Sequence, residues 1–261
     1  MIGVFDSGIG GLSILREIRN LESGMDVVYF GDTAHVPYGD RLELEVKELV
    51  LRAIKHLMSY RPAVVVIACN TATAVAIEEL RRIYSDTPII GVVPVLKTLA
   101  EQTRNNRVAV VATQRTLSSP IYHDLKQKFA PHLSVLEIAC PDLVRLVEAG
   151  QITTPAAYSA IRPVVEKIIE FNADAIALGS THFPWLRPVV EELLPGVRVL
   201  DSGAAVARHL VRVLNQTGQT QEFSGNGEAR YLVTGEAEPF SVIASKLLGK
   251  RVMAQKTCLS D

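Results

Sequence analysis

Residues 63–74 read AVVVIACNTATA, and residues 174–184 read DAIALGSTHFP. Each stretch is a short apolar run, then one small nucleophilic side chain (Cys69 in the first, Ser180 in the second), then the start of a helical pattern. A short, continuous apolar run is typical of a strand that is buried on both faces. The repetition predicts one reactive centre flanked by two nearly equivalent strand ends.

The rest of the chain alternates short β-rich runs with helical periodicities, which favours βαβ units and parallel sheets. Strands are expected at 2–5, 26–30, 63–68, 88–93, 107–113, 133–139, 174–179 and 197–201. Helices are expected at 41–59, 71–84, 155–171 and 204–215. We therefore predict an α/β fold with two similar lobes, each a mainly parallel sheet flanked by helices.

A second repetition supports related lobes. Residues 5–8 read FDSG and residues 200–203 read LDSG, and both follow an apolar run and precede a helical pattern. In open α/β folds, ligands bind at the carboxyl ends of the strands. The DSG, CNT, STH and DSG segments all fall at such ends, so we expect the active site in the crevice between the lobes.

The composition of the chain argues against certain classes of binding partner and cellular location. The chain has 261 residues, a net charge of −1 and a pI of about 6.6, which gives no electrostatic reason to expect a nucleic acid or an anionic membrane. No apolar run approaches the roughly 18 residues of a membrane span, and the N-terminus does not read as a signal peptide. The three scattered cysteines predict neither a disulfide framework nor a zinc site, and they fit a reducing cytoplasm.

Cys69 follows a predicted strand and should lie at the N-terminus of the next helix. Backbone N–H groups and the helix dipole there would lower the pKa of a thiol. A buried cysteine that merely fills space is the alternative. The polar neighbours Asn70 and Thr71 favour a site that could hold a ligand carboxylate.

Ser180 occupies the matching position and is followed by Thr181 and His182. A nucleophilic serine needs an adjacent base, and His182 could serve only if the turn folds it back. The other interpretation is that Ser180 caps a helix that begins near Pro184.

Three other segments carry polar groups whose roles the local sequence leaves open. Asp6 and Ser7 precede a glycine-rich run, 8–11, which resembles a phosphate loop but lacks the GxGxxG spacing and a Walker lysine. Residues 31–39 are either a ligand-facing loop or a plain tight turn. Glu148 reads locally as a charge on a helix surface.

Eight segments, in order over about the first 200 residues, carry a resemblance to a known family. They are FDSGIGGLS (5–13), FGDTAHVPYG (30–39), ACNTATA (68–74), IIGVVPVLK (89–97), VAVVATQRT (108–116), ACPDLVRLVEAG (139–150), LGSTHFPWL (178–186) and VLDSG (199–203). With these motifs the chain resembles the bacterial glutamate racemases of the cofactor-independent Asp/Glu racemase superfamily. The resemblance implies two lobes with the active site between them, for which we expect residues 1–97 with 208–261 in the N-terminal lobe and 98–207 in the C-terminal lobe.

The resemblance also implies an activity: interconversion of L- and D-glutamate without a metal or cofactor, supplying D-glutamate for peptidoglycan, often as a homodimer. In the family two cysteines flank the substrate α-carbon, and they match Cys69 and Ser180 here. By the same matching Asp6 and His182 assist proton transfer, and Glu148 is an additional acid. The positions matched to substrate binding are Ser7, Pro37, Tyr38, Gly39, Asn70, Thr71, Thr113, Thr116 and Thr181.

Ser180 is where the chain departs from the family pattern. A serine hydroxyl is a far weaker acid than a thiol, and losing a general acid–base group costs about 10²–10⁴-fold in rate. We therefore expect an impaired racemase, in which the serine is either natural or introduced. The alternatives are a lyase or decarboxylase that needs one thiol, and a protein that binds acidic amino acids without turnover.

Overall fold

The computed structural model describes residues 1–217 and 226–259, which form two parallel sheets flanked by helices. The first sheet has the strand order β10-β9-β2-β1-β3-β4 and the second the order β6-β5-β7-β8. The strands are β1 (Ile2–Asp6), β2 (Val27–Gly31), β3 (Val65–Ile67), β4 (Ile89–Gly91), β5 (Arg107–Ala112), β6 (Ser134–Ala139), β7 (Ala175–Gly179), β8 (Arg198–Asp201), β9 (Ala229–Val233) and β10 (Ala254–Lys256). The predicted α/β class and the eight predicted strands are confirmed.

The helices cover the faces of these sheets, and the four predicted helices are confirmed as α2, α3, α8 and α10. The helices are α1 (Leu12–Leu21), α2 (Glu43–Met58), α3 (Asn70–Ile83), α4 (Leu96–Gln102), α5 (Gln114–Leu117), α6 (Pro120–Phe129), α7 (Pro141–Glu148), α8 (Pro155–Glu170), α9 (Arg187–Leu193), α10 (Gly203–Gln216) and α11 (Ala237–Leu248). Short 3₁₀ turns lie at Tyr38–Asp40 and Phe183–Leu186.

The chain passes from the first sheet to the second through α4 and returns after β8 to supply β9 and β10. Two strands were missed from the sequence. β9 holds an arginine among its apolar residues, and β10 is a polar three-residue edge strand, so neither shows a strong apolar pattern.

One apolar cluster joins the two sheets. It includes Leu15 of α1, Val144 and Val147 of α7, and Phe183 and Trp185 after β7, all of them buried. Burying a side chain as large as Phe183 contributes about 1.5–3 kcal/mol. This packing holds the turn after β7 against the start of α1, which is where the polar strand ends meet.

The proposed division at residues 97/98 and 207/208 stays a prediction; its second boundary lies inside α10, which packs against α1. Residues 216–228 read QTGQTQEFSGNGE, and this polar, glycine-containing composition predicts a loop. Most of the segment lies outside the described residues, since the structure describes only 216–217 and 226–228 of it. None of the helices in the described part of the chain combines the length and apolar character needed to cross a bilayer.

Candidate active site

The carboxyl ends of β1, β3, β5 and β7 open onto one cavity of about 200 Å³. This is below the roughly 300–1,000 Å³ of sites that take drug-sized ligands, so it suits a small molecule. The lining residues are Ser7, Pro37, Tyr38, Gly39, Asp40, Cys69, Asn70, Thr71, Thr113, Gln114, Ala139, Pro141, Val144, Ser180, Thr181 and His182. The crevice between the two sheets is thus confirmed as a place where the predicted side chains meet.

Cys69 is the residue that caps the N-terminus of α3, and its sulfur accepts the backbone N–H of Ala72 at 3.4 Å. Its Sγ also lies 3.5 Å from Ser7 Oγ. Burial, followed by the charge of Asp6, raises the pKa of the thiol to about 12, although the hydrogen bonds from Ser7 and the helix N-terminus oppose the shift. The expectation that the helix N-terminus lowers this pKa below its ordinary value is therefore wrong, because desolvation outweighs the helix.

Ser180 is buried and follows β7 directly, at the position that corresponds to Cys69. Its Oγ accepts the backbone N–H of His182 at 3.4 Å within the turn. The 3₁₀ turn that follows has His182 at its N-cap and no side-chain cap, so the interpretation of Ser180 as a helix cap is wrong. The imidazole of His182 is turned elsewhere: Nε2 lies 2.6 Å from Glu148 Oε1, and Nδ1 faces Gly10. The idea that His182 acts as a base on Ser180 thus has no hydrogen bond to support it.

Asp6 and Glu148 lie behind the cavity wall and form a charged cluster with His182, which lines the cavity. Asp6 is fully buried, and its carboxylate accepts from Gly8 N at 3.0 Å and from Thr181 Oγ1 at 3.1 Å. Burial raises the pKa of Asp6, although the charge of His182 partly opposes it. Burial alone would lower the pKa of His182, but the hydrogen bond and charge of Glu148, with the charge of Asp6, raise it instead. The cluster therefore favours a protonated imidazole between two carboxyl groups.

The glycine run packs closely against this cluster. A Cβ on Gly8 would lie 2.0 Å from Glu148 Oε1, and a Cβ on Gly10 would lie 2.5 Å from His182 Nδ1. Glu148 Oε1 also accepts the backbone N–H of Ile9 at 2.8 Å. The interpretation of Glu148 as a surface charge is wrong, because it crosses from α7 to the loop after β1 and its side chain is only 18% exposed.

Hydroxyl groups line the opposite wall. Thr113 Oγ1 lies 3.1 Å from Thr71 Oγ1 and 2.9 Å from Thr116 Oγ1, which links the ends of β3 and β5. Asn70 Nδ2 donates to Val92 O at 3.4 Å. Hydroxyl and amide groups at strand ends can bind carboxylates, so this wall suits an acidic ligand.

Most predicted site residues meet at the cavity, and the others lie just behind it. Asp6, Glu148 and Thr116 do not line it but bond to residues that do. Sequence reasoning missed Asp40 and Gln114, which adjoin the matched positions Gly39 and Thr113. It also missed the α7 face made by Pro141 and Val144, whose apolar side chains carry no chemical signature in the sequence.

Comparisons with known proteins agree with this geometry. The family model described as Asp/Glu/Hydantoin racemase matches residues 17–210. A glutamate racemase from Ectopseudomonas mendocina is 39% identical over 253 residues, which cover 96% of this chain and 95% of that protein. One from Pseudomonas aeruginosa is 42% identical over 215 residues, covering 82% of this chain and 81% of the relative.

Solved structures give the same result for the fold. The glutamate racemase from Thermus thermophilus, in complex with β-chloro-D-alanine, has a TM-score of 0.84 at 35% identity and covers 99% of this chain and 96% of its own. The Escherichia coli glutamate racemase, in complex with L-glutamate and an activator, has a TM-score of 0.87 at 28% identity. The match covers 100% of this chain and 98% of the Escherichia coli chain.

Proposed function

This chain belongs to the Asp/Glu/hydantoin racemase family, and we propose that it is a glutamate racemase that interconverts L- and D-glutamate through Cys69 and Ser180. It is an amino-acid racemase, an isomerase. The observation that carries the proposal is structural: two side chains able to carry a proton end equivalent strands, β3 and β7, and line the same small cavity.

The chemistry follows from that arrangement. Racemisation requires one group to remove the α-proton from one face of the substrate and a second group to deliver a proton to the other face. Cys69 and Ser180 are the pair for these tasks, and they exchange roles when the direction reverses. Because burial and Asp6 keep the thiol of Cys69 protonated in the free protein, Cys69 begins as an acid unless Asp6 accepts its proton.

The neighbouring groups assist this transfer. The raised pKa of Asp6 makes its carboxylate a better proton acceptor than an ordinary aspartate on the Cys69 side. On the Ser180 side, Glu148 holds the proton on His182, and the resulting cation would stabilise negative charge that develops on the serine oxygen. The proton count closes when Asp6 is included: Asp6 accepts the thiol proton, the Cys69 thiolate removes the α-proton, and Ser180 gives its proton to the opposite face.

Substrate binding rests on the polar walls. The substrate is a small molecule, glutamate, and we assign its carboxylates to Ser7, Asn70, Thr71, Thr113 and Thr181, with Thr116 supporting Thr113. The loop Pro37–Gly39 closes the remaining side. We further propose that the protein acts in the cytoplasm as a homodimer and supplies D-glutamate for peptidoglycan.

The other candidate functions find no support in the comparisons. The relatives described above are glutamate racemases, whereas the alternatives were a single-thiol lyase or decarboxylase and a protein that only binds acidic amino acids. The expectation that the chain is impaired finds no support there either. Ser180 is buried and lines the cavity with Cys69.

Proton NMR of L-glutamate and of D-glutamate, each incubated with the protein in D₂O, tests the proposal. Loss of the α-proton from both enantiomers, with appearance of the opposite enantiomer, is the expected result. Exchange with retained configuration in one enantiomer only would replace the two-base scheme with a one-base scheme. No exchange from either enantiomer would refute the proposal. Cys69→Ala is the matched variant, and full exchange by that variant would exclude Cys69 as a proton carrier.

A further inference from the structure

A second buried carboxylate lies near the active site and takes no part in the proton-transfer scheme. Asp32 follows β2 and is fully buried. Its Oδ2 accepts the hydroxyl of Tyr38 at 2.6 Å, and its Oδ1 accepts the hydroxyl of Thr234 at 2.6 Å. His35 Nδ1 lies 2.8 Å from the same Oδ1. Three side chains therefore converge on one carboxylate that is shielded from water.

The backbone of Asp32 is also hydrogen-bonded to β1, the strand that ends at Asp6. Its backbone N–H donates to the carbonyl of Asp6 at 3.0 Å, at the point where β1 and β2 end side by side. The position of the Asp32 carboxylate is thus fixed by the sheet and not by the loop that follows it. A buried charged group with several short hydrogen bonds is costly to rearrange, because each broken bond leaves an unsatisfied polar atom.

Tyr38 connects this carboxylate to the cavity. Its side chain is buried, and it lies with Pro37 and Gly39 on the cavity wall. Since its hydroxyl donates to Asp32, Tyr38 is anchored at its far end, which fixes the backbone of the 37–39 segment. On the other side Gly39 packs closely against Thr113, because a Cβ on Gly39 would lie 3.2 Å from Thr113 Cβ. The segment is held between Asp32 and the threonine wall.

We propose that Asp32 is a positioning residue for the racemase reaction: through the Tyr38 hydroxyl it fixes the Pro37–Gly39 wall of the cavity in the geometry that binds substrate. This inference rests on the proposed function for its effect on glutamate, but the anchoring itself does not. Asp32 does not line the cavity, so its influence on substrate passes through Tyr38.

The proposal sets a particular kinetic pattern. A wall that contacts the substrate in both ground and transition states contributes uniform binding, so loosening it raises KM while kcat changes little. A tyrosine–carboxylate hydrogen bond contributes enough that its loss should raise KM by roughly tenfold. Asp32→Asn leaves fewer acceptor sites for the three donors, and Tyr38→Phe removes one donor without disturbing the others.

The experiment is a double-mutant cycle with Asp32→Asn, Tyr38→Phe and the double variant, followed by KM and kcat for both enantiomers. The matched control is Tyr122→Phe, which removes a similar bond: the buried Tyr122 donates to Glu137 Oε1 at 2.9 Å, on the second sheet and away from the cavity lining. This control reports the general cost of deleting a tyrosine–carboxylate bond, and its KM should equal that of the unchanged protein.

The expected result is that each single variant raises KM roughly tenfold and that the double variant is no worse than the more severe single one, since both break one connection. The proposal would be overturned if the increases in KM of the two single variants were additive in the double variant. It would also be overturned if Tyr38→Phe left KM unchanged and lost only as much thermal stability as the control. Amide hydrogen exchange of residues 38–40 gives a readout that needs no substrate. Faster exchange in Asp32→Asn and Tyr38→Phe, but not in the control, would support the anchoring even if glutamate proved not to be the substrate, and unchanged exchange would refute it.

Discussion

Replacing Glu148 by glutamine tests the charged cluster most directly. Glu148 Oε1 accepts from Ile9 N at 2.8 Å and lies 2.6 Å from His182 Nε2, whose side chain is 4% exposed. Glutamine keeps the size of the side chain but removes the negative charge. A hydrogen bond to a charged group contributes about 1.5–3 kcal/mol, and in a chain of this size 1 kcal/mol corresponds to about 2–4 °C in Tm. We therefore expect Glu148→Gln to lower Tm by about 3–12 °C where His182 is protonated.

The pH dependence of this loss follows from the raised pKa of His182. A histidine whose pKa is higher in the folded than in the unfolded state stabilises the fold fully below its unfolded value, near pH 6.5, and this contribution disappears as the pH rises through the folded value. The difference in Tm between the unchanged protein and Glu148→Gln should therefore be largest below about pH 6.5 and shrink as the pH rises through the folded-state pKa of His182. Thermal unfolding followed by circular dichroism across this range measures it.

A control separates the pair from general charge effects. Glu166 lies on the exposed face of α8, and Glu166→Gln should leave Tm within about 1–2 °C at every pH. If the Tm difference for Glu148→Gln were as small as this, or did not shrink as the pH rises above about 6.5, the cluster would not hold a charged His182 and the reasoning would fail.

Three further outcomes are expected. Ser180→Cys should raise the overall rate of racemisation by about 10²-fold or more, because a thiol is a far better acid and base than a hydroxyl; an unchanged rate in stopped assays by circular dichroism would contradict this. Gly8→Ala should abolish most activity and give a protein that resembles Glu148→Gln in its pH profile, since the new Cβ would displace the Glu148 carboxylate. Arg145→Ala removes the 2.6 Å ion pair to Asp40 at the cavity rim. Because the Arg145 side chain is 58% exposed, the change should lower the free energy of unfolding by under about 1 kcal/mol, and its main effect should be on KM. A large loss of stability would show instead that the pair holds the fold.

The fold was accessible from the sequence where burial leaves a clear pattern. β3 and β7 are covered on both faces, so they appear as continuous apolar runs, and their positions were predicted to within two residues. β10 was not, because a three-residue edge strand with only one apolar residue is stabilised by pairing with β9, a long-range contact that no local window contains.

The site shows the same division between local and long-range information. Cys69 and Ser180 were recognisable because each directly follows a strand. The pairing of Glu148 with His182 was not, since it joins residues from α7 and the turn after β7 that only the packed core brings together. The pKa of Cys69 was predicted in the wrong direction for a related reason: the helix N-terminus is visible in the sequence, but the depth of burial and the approach of Asp6 are not.

The charges on the two sides of the cavity oppose the intrinsic acidities of the two proton carriers. Asp6 disfavours an anion on Cys69, and Glu148 holds a proton on His182. In the proposed mechanism this cation favours an anion at position 180, two residues before it. A thiol is nevertheless intrinsically much more acidic than a hydroxyl, so in this chain the better acid lies in the less favourable field. Ser180→Cys would remove that conflict on one side only, by placing a thiol next to the cation. The gain should therefore be larger for the enantiomer whose α-proton is removed from position 180, and equal gains in α-proton exchange from L- and D-glutamate would show that the two sides do not differ in this way.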